Sequence, residues 1–276
     1  MSDQISHLST SDVFQRAPSV FATQPHPYKT SSRYEFISTS TVCTDLAGIG
    51  WNPVAVTEQR LIGGAAVGRT GNRAYQKHML RFRKTEGDIP MLGEDHIEMV
   101  LITAHDGSCS FTFRVGVFRM VCSNGMVVGT DVIEGLRIRH QGYNAEHALE
   151  AVAGIISQAQ GLAPRLEAMQ NRVMQPVERE LFAQQASELR WKPKEGRSTA
   201  PVGYAQLLNA RREEDAPSTL WNVFNTVQEN MIQRGGQMGR NSAGHRMRTQ
   251  PIRAIDQQVK LNSNLWNLAD TYLKAA

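Results

Sequence analysis

The amino-acid sequence predicts an α+β protein: an antiparallel β-meander packed against helices, followed by a helical C-terminal part. Two observations carry this. Short runs in the first half alternate apolar with polar residues, the two-residue period of a half-buried strand. After Asn144 the apolar spacing changes to the three-to-four-residue period of helices and stays there. Strands first and helices later is the order of an α+β chain.

Residues 1–33 are rich in Ser, Thr, Gln and Pro and are expected to form a flexible N-terminal arm, with Val20-Phe21 as an apolar patch. The α+β core is expected over 34–191. Tyr34-Glu35-Phe36-Ile37 reads as a short strand. Val42, Leu46 and Ile49 fall at helical spacing, capped by Ser40 or Thr41 and stopped by Gly48 and Gly50. Trp51–Val56 reads as a strand entry. The meander continues through His78–Arg83, Ile97–Ile102 and Ser110–Val115. Between the last two, His105-Asp106-Gly107-Ser108 is a turn signal. Asn124-Gly125 is a second one.

Asn144 is the expected N-cap of a long helix carrying Val152, Ile155, Ala159, Leu162 and Leu166, with Pro164 expected to kink or split it. A further helix spans about Val177 to Trp191. A helical C-terminal region, 192–276, opens with a loop over 192–204. A helix from near Ser218 carries Leu220, Trp221, Phe224, Val227 and Met231 and stops at Gly235-Gly236. A basic loop and a closing helix with Leu261, Leu265 and Trp266 complete the chain.

The composition excludes several classes. Hydrophobic residues are 41% of the 276, enough for a packed core. No apolar run approaches the roughly 18–20 residues of a membrane span. The first residues lack the basic and apolar regions of a secretory signal. The three cysteines, Cys43, Cys109 and Cys122, are odd in number and have no C-x-x-C spacing. They therefore argue for free thiols in a reducing cytoplasm, against a disulfide framework or zinc site.

Net charge is +4, and its distribution is uneven. From Gln59 to Thr85 there is no acidic residue, while Arg60, Arg69, Arg73, Lys77, Arg81, Arg83 and Lys84 are present, with Tyr75 among them. From Asn230 to Ile255 there is again no acid, with Arg234, Arg240, Arg246, Arg248 and Arg253. Guanidinium forks suit phosphate oxygens, and glycine-bearing loops let backbone N–H groups approach them. The pattern points to a phosphate backbone. The expected nucleic-acid ligands are Arg60, Arg69, Arg73, Tyr75, Lys77, Arg81, Arg83, Lys84, Arg240, Arg246 and Arg248, with Tyr75 as a stacking platform. These side chains would have to converge into one trough.

Catalytic patterns are thin. Gly63–Gly68 lacks the Lys-Ser/Thr of a P-loop and the dinucleotide fingerprint. Cys122 with His105 or His140 has no nucleophile motif around it. The carboxylates show no metal spacing. No enzyme activity, metal or cofactor is expected. Glu229, near an expected helix end, opposes the helix dipole and fits poorly as a structural residue.

Several segments resemble a known family: Lys77–Arg81, His105–Ser108, Gly116–Gly125, Val227–Ile232 and Leu261–Trp266. They are similar to the plasmid- and prophage-encoded YfjQ/YafZ-like family, domain of unknown function 932. That resemblance implies a mobile-element origin and a bacterial cytoplasm, and supplies no activity or catalytic residue. The layout also resembles the core of phage single-strand annealing proteins: a helix, Gly50-Trp51 opening a strand, a meander, then a long helix. This implies a single-stranded DNA or RNA partner, a homo-oligomeric ring or filament, and a role in recombination or replication of the element. The alternative is a protein-binding anti-restriction factor.

Overall fold

The computed structural model describes residues 7–59, 70–84, 91–92, 95–119, 125–127, 137–138, 144–211, 218–233, 238–240 and 244–275. Arg60, Arg69, the Gly63–Gly68 run, Cys122 and Gly235-Gly236 lie outside them. The architecture is α+β. No helix among the described residues is long and apolar enough to cross a membrane.

The chain divides into two compact units. The first comprises 1–120 with 133–160, and the second 121–132 with 161–276. The expected break at 191/192 is therefore not where the chain divides. The boundary near 160 falls inside a single helix, close to Gly161 and Pro164.

In the first unit the expected arm is folded. α1 (Thr10–Arg16) starts at a capping box in which Ser9 and Asp12 exchange hydrogen bonds. A 3-10 turn follows at Pro18–Phe21. Val13, Ala17 and Val20 are buried, and these few apolar side chains suffice to seat the segment. Residues 34–38 form no ladder. They are held by buried Ile37 and by Tyr34 Oη, which donates to the Ala104 carbonyl at 3.2 Å. α2 (Thr39–Gly48) is capped by Ser38.

The meander is β1 (Trp51–Glu58), β2 (His78–Lys84), β4 (Asp95–Thr103) and β5 (Phe111–Arg119), paired antiparallel in that order. Short β3 (Met91–Leu92) pairs with β4, and β7 (Arg137–Ile138) pairs with β5. The Asp106-Gly107 turn is built as expected: Asp106 Oδ1 accepts from Ser108 N at 3.1 Å, and Gly107 takes φ +75°.

Register defines two sheet faces. Phe82, Met99 and Val115 form one row and Leu80, Leu101 and Phe113 the next, all buried on the core face. The opposite face carries Arg81, Val100 and Arg114 in one row, Glu98 opposite Gly116, and His96 opposite Phe118. The alternation of half-buried strands predicts one wetted face, yet on this face His96, Glu98, Val100 and Phe118 are buried.

α3 (Ala145–Asn171) is capped by Asn144, whose Oδ1 accepts from His147 N at 3.1 Å. It runs through Pro164 without splitting.

In the second unit, α4 (Pro176–Arg190), α6 (Leu220–Gln228) and α7 (Ile255–Lys274) pack around Phe182, Phe224, Leu265 and Trp266. The Phe224 and Trp266 rings meet edge-on at 6.4 Å. α6 is buried on every side although it carries Asn222, Asn225, Thr226 and Gln228. Gln228 Nε2 donates to Asn262 Oδ1 of α7 at 2.5 Å, a polar link between two apolar surfaces. α6 does not stop at Glu229. It passes into a π-helical turn, Glu229–Gln233, so Glu229 is not at a free helix end. α5 (Tyr204–Leu207) is a single turn. Strand β6 (Gly125–Val127) also belongs to this unit.

The expected basic loop after α6 is instead a two-stranded ribbon, β8 (Met238–Arg240) paired with β9 (Arg246–Arg248).

Candidate nucleic-acid interface

The two acid-free stretches have different fates. In the first, Arg73, Arg81 and Arg83 meet carboxylates contributed from outside it. Arg73 Nε donates to Glu58 Oε1 at 2.8 Å. Arg81 grips Glu98 with both Nε (2.5 Å) and Nη2 (2.9 Å). Arg83 Nε reaches the same carboxylate at 2.9 Å, and its Nη2 also donates to Glu98 Oε1. Glu98 is fully buried, and the Arg81 and Arg83 side chains are only 16% and 9% exposed.

The Arg81 guanidinium also lies 3.4 Å from the Phe118 ring centroid. Gly116 leaves the space for that ring, because a Cβ there would stand 2.2 Å from Phe118 Cε2. Tyr75 is half-buried with its ring against His26, centroids 4.8 Å apart. Lys77 and Lys84 are half-buried.

Arg81, Arg83 and Tyr75 are therefore built into the first unit's structure and do not line an open trough, which corrects the expectation for them. Arg73 is paired with Glu58, but its side chain stays 50% exposed. The physical reason is the meander itself. Antiparallel pairing sets Glu98 of β4 beside Arg81 and Arg83 of β2, and Glu58 lies one residue before the acid-free stretch begins.

The described arginines of the second stretch have no such pairing. In the ribbon, Arg240 stands directly opposite Arg246, and Met238 opposite Arg248. Residues two apart on a strand share a face. Arg240, Arg246 and Arg248 therefore project from one side, and Gly239 and Met247 face the other. The Gly239 side is seated: a Cβ there would meet Val202 Cα at 2.7 Å and the Pro201 carbonyl at 2.8 Å. The arginine side is exposed. Among the described residues none of the three is within ion-pair distance of a carboxylate. Arg240 Nη1 donates to the Gly244 carbonyl, at 2.8 Å.

Beside the ribbon lies a groove of about 800 Å³, lined by α4 residues Gln184, Ser187 and Glu188, by the loop from Pro193 to Tyr204, and by Arg240. The loop is a formed structure. Lys194 and Arg197 exchange backbone hydrogen bonds of 2.9 Å around Glu195 (φ +50°) and Gly196 (φ +75°), the positive angles of a tight two-residue hairpin. Lys192, Lys194 and Arg197 are exposed on it. The Tyr204 side of the groove leaves that tyrosine 44% exposed.

Reading the sequence left these loop cations and Tyr204 unassigned. Three cations within six residues, beside Pro193 and Gly196, were the available signal.

The family model described as a domain of unknown function (DUF932) matches residues 29–266. The chain belongs to the DUF932 family. Two proteins of Escherichia coli strain K12, "UPF0380 protein YafZ" and "UPF0380 protein YfjQ", are each 34% identical to it over 266 residues, 96% of this chain and 92% of the relative. No solved structure matches. Two motifs by which the DUF932 resemblance was read, Gln228–Ile232 and Leu261–Trp266, meet at the Gln228–Asn262 hydrogen bond between α6 and α7. In this DUF932 chain they support the helical unit that carries the ribbon and the groove.

Proposed function

We propose that the chain binds single-stranded nucleic acid, and that it serves a plasmid or phage by promoting strand annealing in recombination or replication. Arg240, Arg246 and Arg248 are the phosphate ligands of this reading. One observation carries it. Like charges directly opposite on a ribbon are destabilising, yet Arg240 and Arg246 face each other with no carboxylate within ion-pair distance among the described residues, on a ribbon seated on its other side at Gly239. Such an unmatched array recovers its cost when an anionic backbone lies along it and releases counterions. The loop cations Lys192, Lys194 and Arg197 extend the positive surface beside the groove.

The test is anisotropy of a fluorescent oligonucleotide between about 50 mM and about 200 mM salt. The wild type should bind with affinity that falls steeply with salt. The triple variant Arg240→Ala, Arg246→Ala, Arg248→Ala should bind weakly, with the log–log salt slope smaller by about two. A fluorescence-quenching assay with complementary strands then measures annealing, and negative-stain images with the oligonucleotide report ring or filament assembly. Absence of binding at the lowest salt, or an unchanged slope in the triple variant, would refute the reading.

A further inference from the structure

The groove beside the ribbon combines two unmatched charges of opposite sign. Arg240 is one. Glu188 is the other: exposed, one helical turn from Gln184 on the same face of α4, and within ion-pair distance of no cation among the described residues. A purely anionic ligand would gain at Arg240 and lose at Glu188. A nucleotide satisfies both, because its phosphate is negative while the edge of an amino-bearing base presents N–H donors. Tyr204 adds a half-exposed ring on which a base can stack.

We infer that this groove holds one unpaired base of a bound strand and favours bases with an exocyclic amine. Tyr204 is the stacking face, Glu188 accepts from the amine, and Arg240 holds the adjoining phosphate. This rests on the nucleic-acid reading above and adds base selectivity to it. Cytosine is accepted because its N4 amine donates to the carboxylate. Thymine is disfavoured because its O4 carbonyl sits where that amine would be and meets the carboxylate with like polarity.

The experiment compares all-dC and all-dT oligonucleotides of equal length, at neutral pH and one salt concentration, with the full chain. The wild type should bind dC roughly five- to tenfold more tightly than dT. Glu188→Gln, which can donate to O4 as well as accept, should raise dT binding and erase most of that ratio. Tyr204→Ala should weaken both by about tenfold, and Tyr204→Phe should behave as wild type. Thermal unfolding of each variant confirms that it is folded. Equal dC and dT binding by the wild type overturns the inference, as does a ratio untouched by Glu188→Gln or full binding by Tyr204→Ala. If the triple arginine variant still binds weakly in those cases, the ribbon reading stands without the groove. If the triple variant binds as wild type, both fall.

Discussion

Removing Glu98 should damage the protein more than removing either arginine that grips it. Glu98 is fully buried and is the carboxylate that serves both Arg81 and Arg83, whose side chains are 16% and 9% exposed. Glu98→Ala strands two guanidinium groups in a place with little water. Breaking a buried ion pair from one side costs about 3–5 kcal/mol, and the upper end applies because two charges lose their partner. A typical domain has a total stability of roughly 5–15 kcal/mol, so the variant should be close to unfolding at room temperature.

Arg83→Met is different. It leaves Glu98 with the two-point contact from Arg81 (2.5 and 2.9 Å), a matched pair. Its cost is the lost charged hydrogen bonds, on the order of 2 kcal/mol. Glu98→Gln should fall nearer the alanine variant, since the amide keeps the shape and loses the charge. Urea denaturation followed by circular dichroism gives each midpoint and slope. Arg83→Met costing as much as Glu98→Ala would refute the reasoning. So would a fully stable Glu98→Ala chain: those arginines would then be surface ligands, and the variant should alter nucleic-acid binding instead.

Three other outcomes follow from the same coordinates. Burial holds His78 down to about 4 from its ordinary 6.5. The unfolded chain therefore binds a proton between those values that the folded chain refuses. Stability should be full above pH 6.5 and decline as pH falls toward 4, by about 3 kcal/mol in all. His96 is lowered by burial and by Arg83 and acts in the same direction, so the His78 share is the difference between wild type and His78→Asn. Identical pH profiles for the two would sink the assignment. Gly239→Ala should unseat the ribbon by roughly 1–3 kcal/mol, because its Cβ would press on the Val202 and Pro201 backbone. Faster amide exchange over 238–248 is the readout, and unchanged exchange would count against it. Gly161→Ala, in helix α3 with open space around it, should instead stabilise the fold by about 1 kcal/mol, read as a higher urea midpoint; an unchanged or lower midpoint would contradict it.

The elements that could be read from sequence were those whose signal is local. α2, α4 and α7 repeat apolar residues on one face, β2 and β5 alternate, and β4 is a short apolar run, so their signals show through without knowledge of neighbours. The Asp106-Gly107 turn is equally local, since Gly107 needs positive φ. The folded N-terminal segment was not legible. Its polar composition resembles a loose arm, and its order comes from Val13, Ala17 and Val20 finding distant apolar partners. The unladdered run 34–38 failed for the opposite reason. Its aromatic and β-branched residues look like a strand, but Tyr34 spends its hydroxyl on Ala104 and no strand lies alongside.

Charge was the least legible property, and the two basic stretches show why. An acid-free run says nothing about what lies across the sheet. β2 sits between β1 and β4, so its arginines receive neighbours separated by fifteen residues or more: Glu98 lies 17 positions from Arg81 and 15 from Arg83. A central strand can therefore be neutralised from either side. Among the described strands β8 and β9 pair only with each other. Both come from within the acid-free run, so cross-strand pairing brings arginine to arginine and cannot supply a carboxylate. At Gly239 the other face is seated so closely on Val202 and Pro201 that no side chain fits at that position. The same one-dimensional pattern thus gives a buried structural network where the strands pair outside the run, and an unmatched cationic face where they pair within it. That difference in pairing, more than the number of arginines, assigns the proposed nucleic-acid contacts to 240–248.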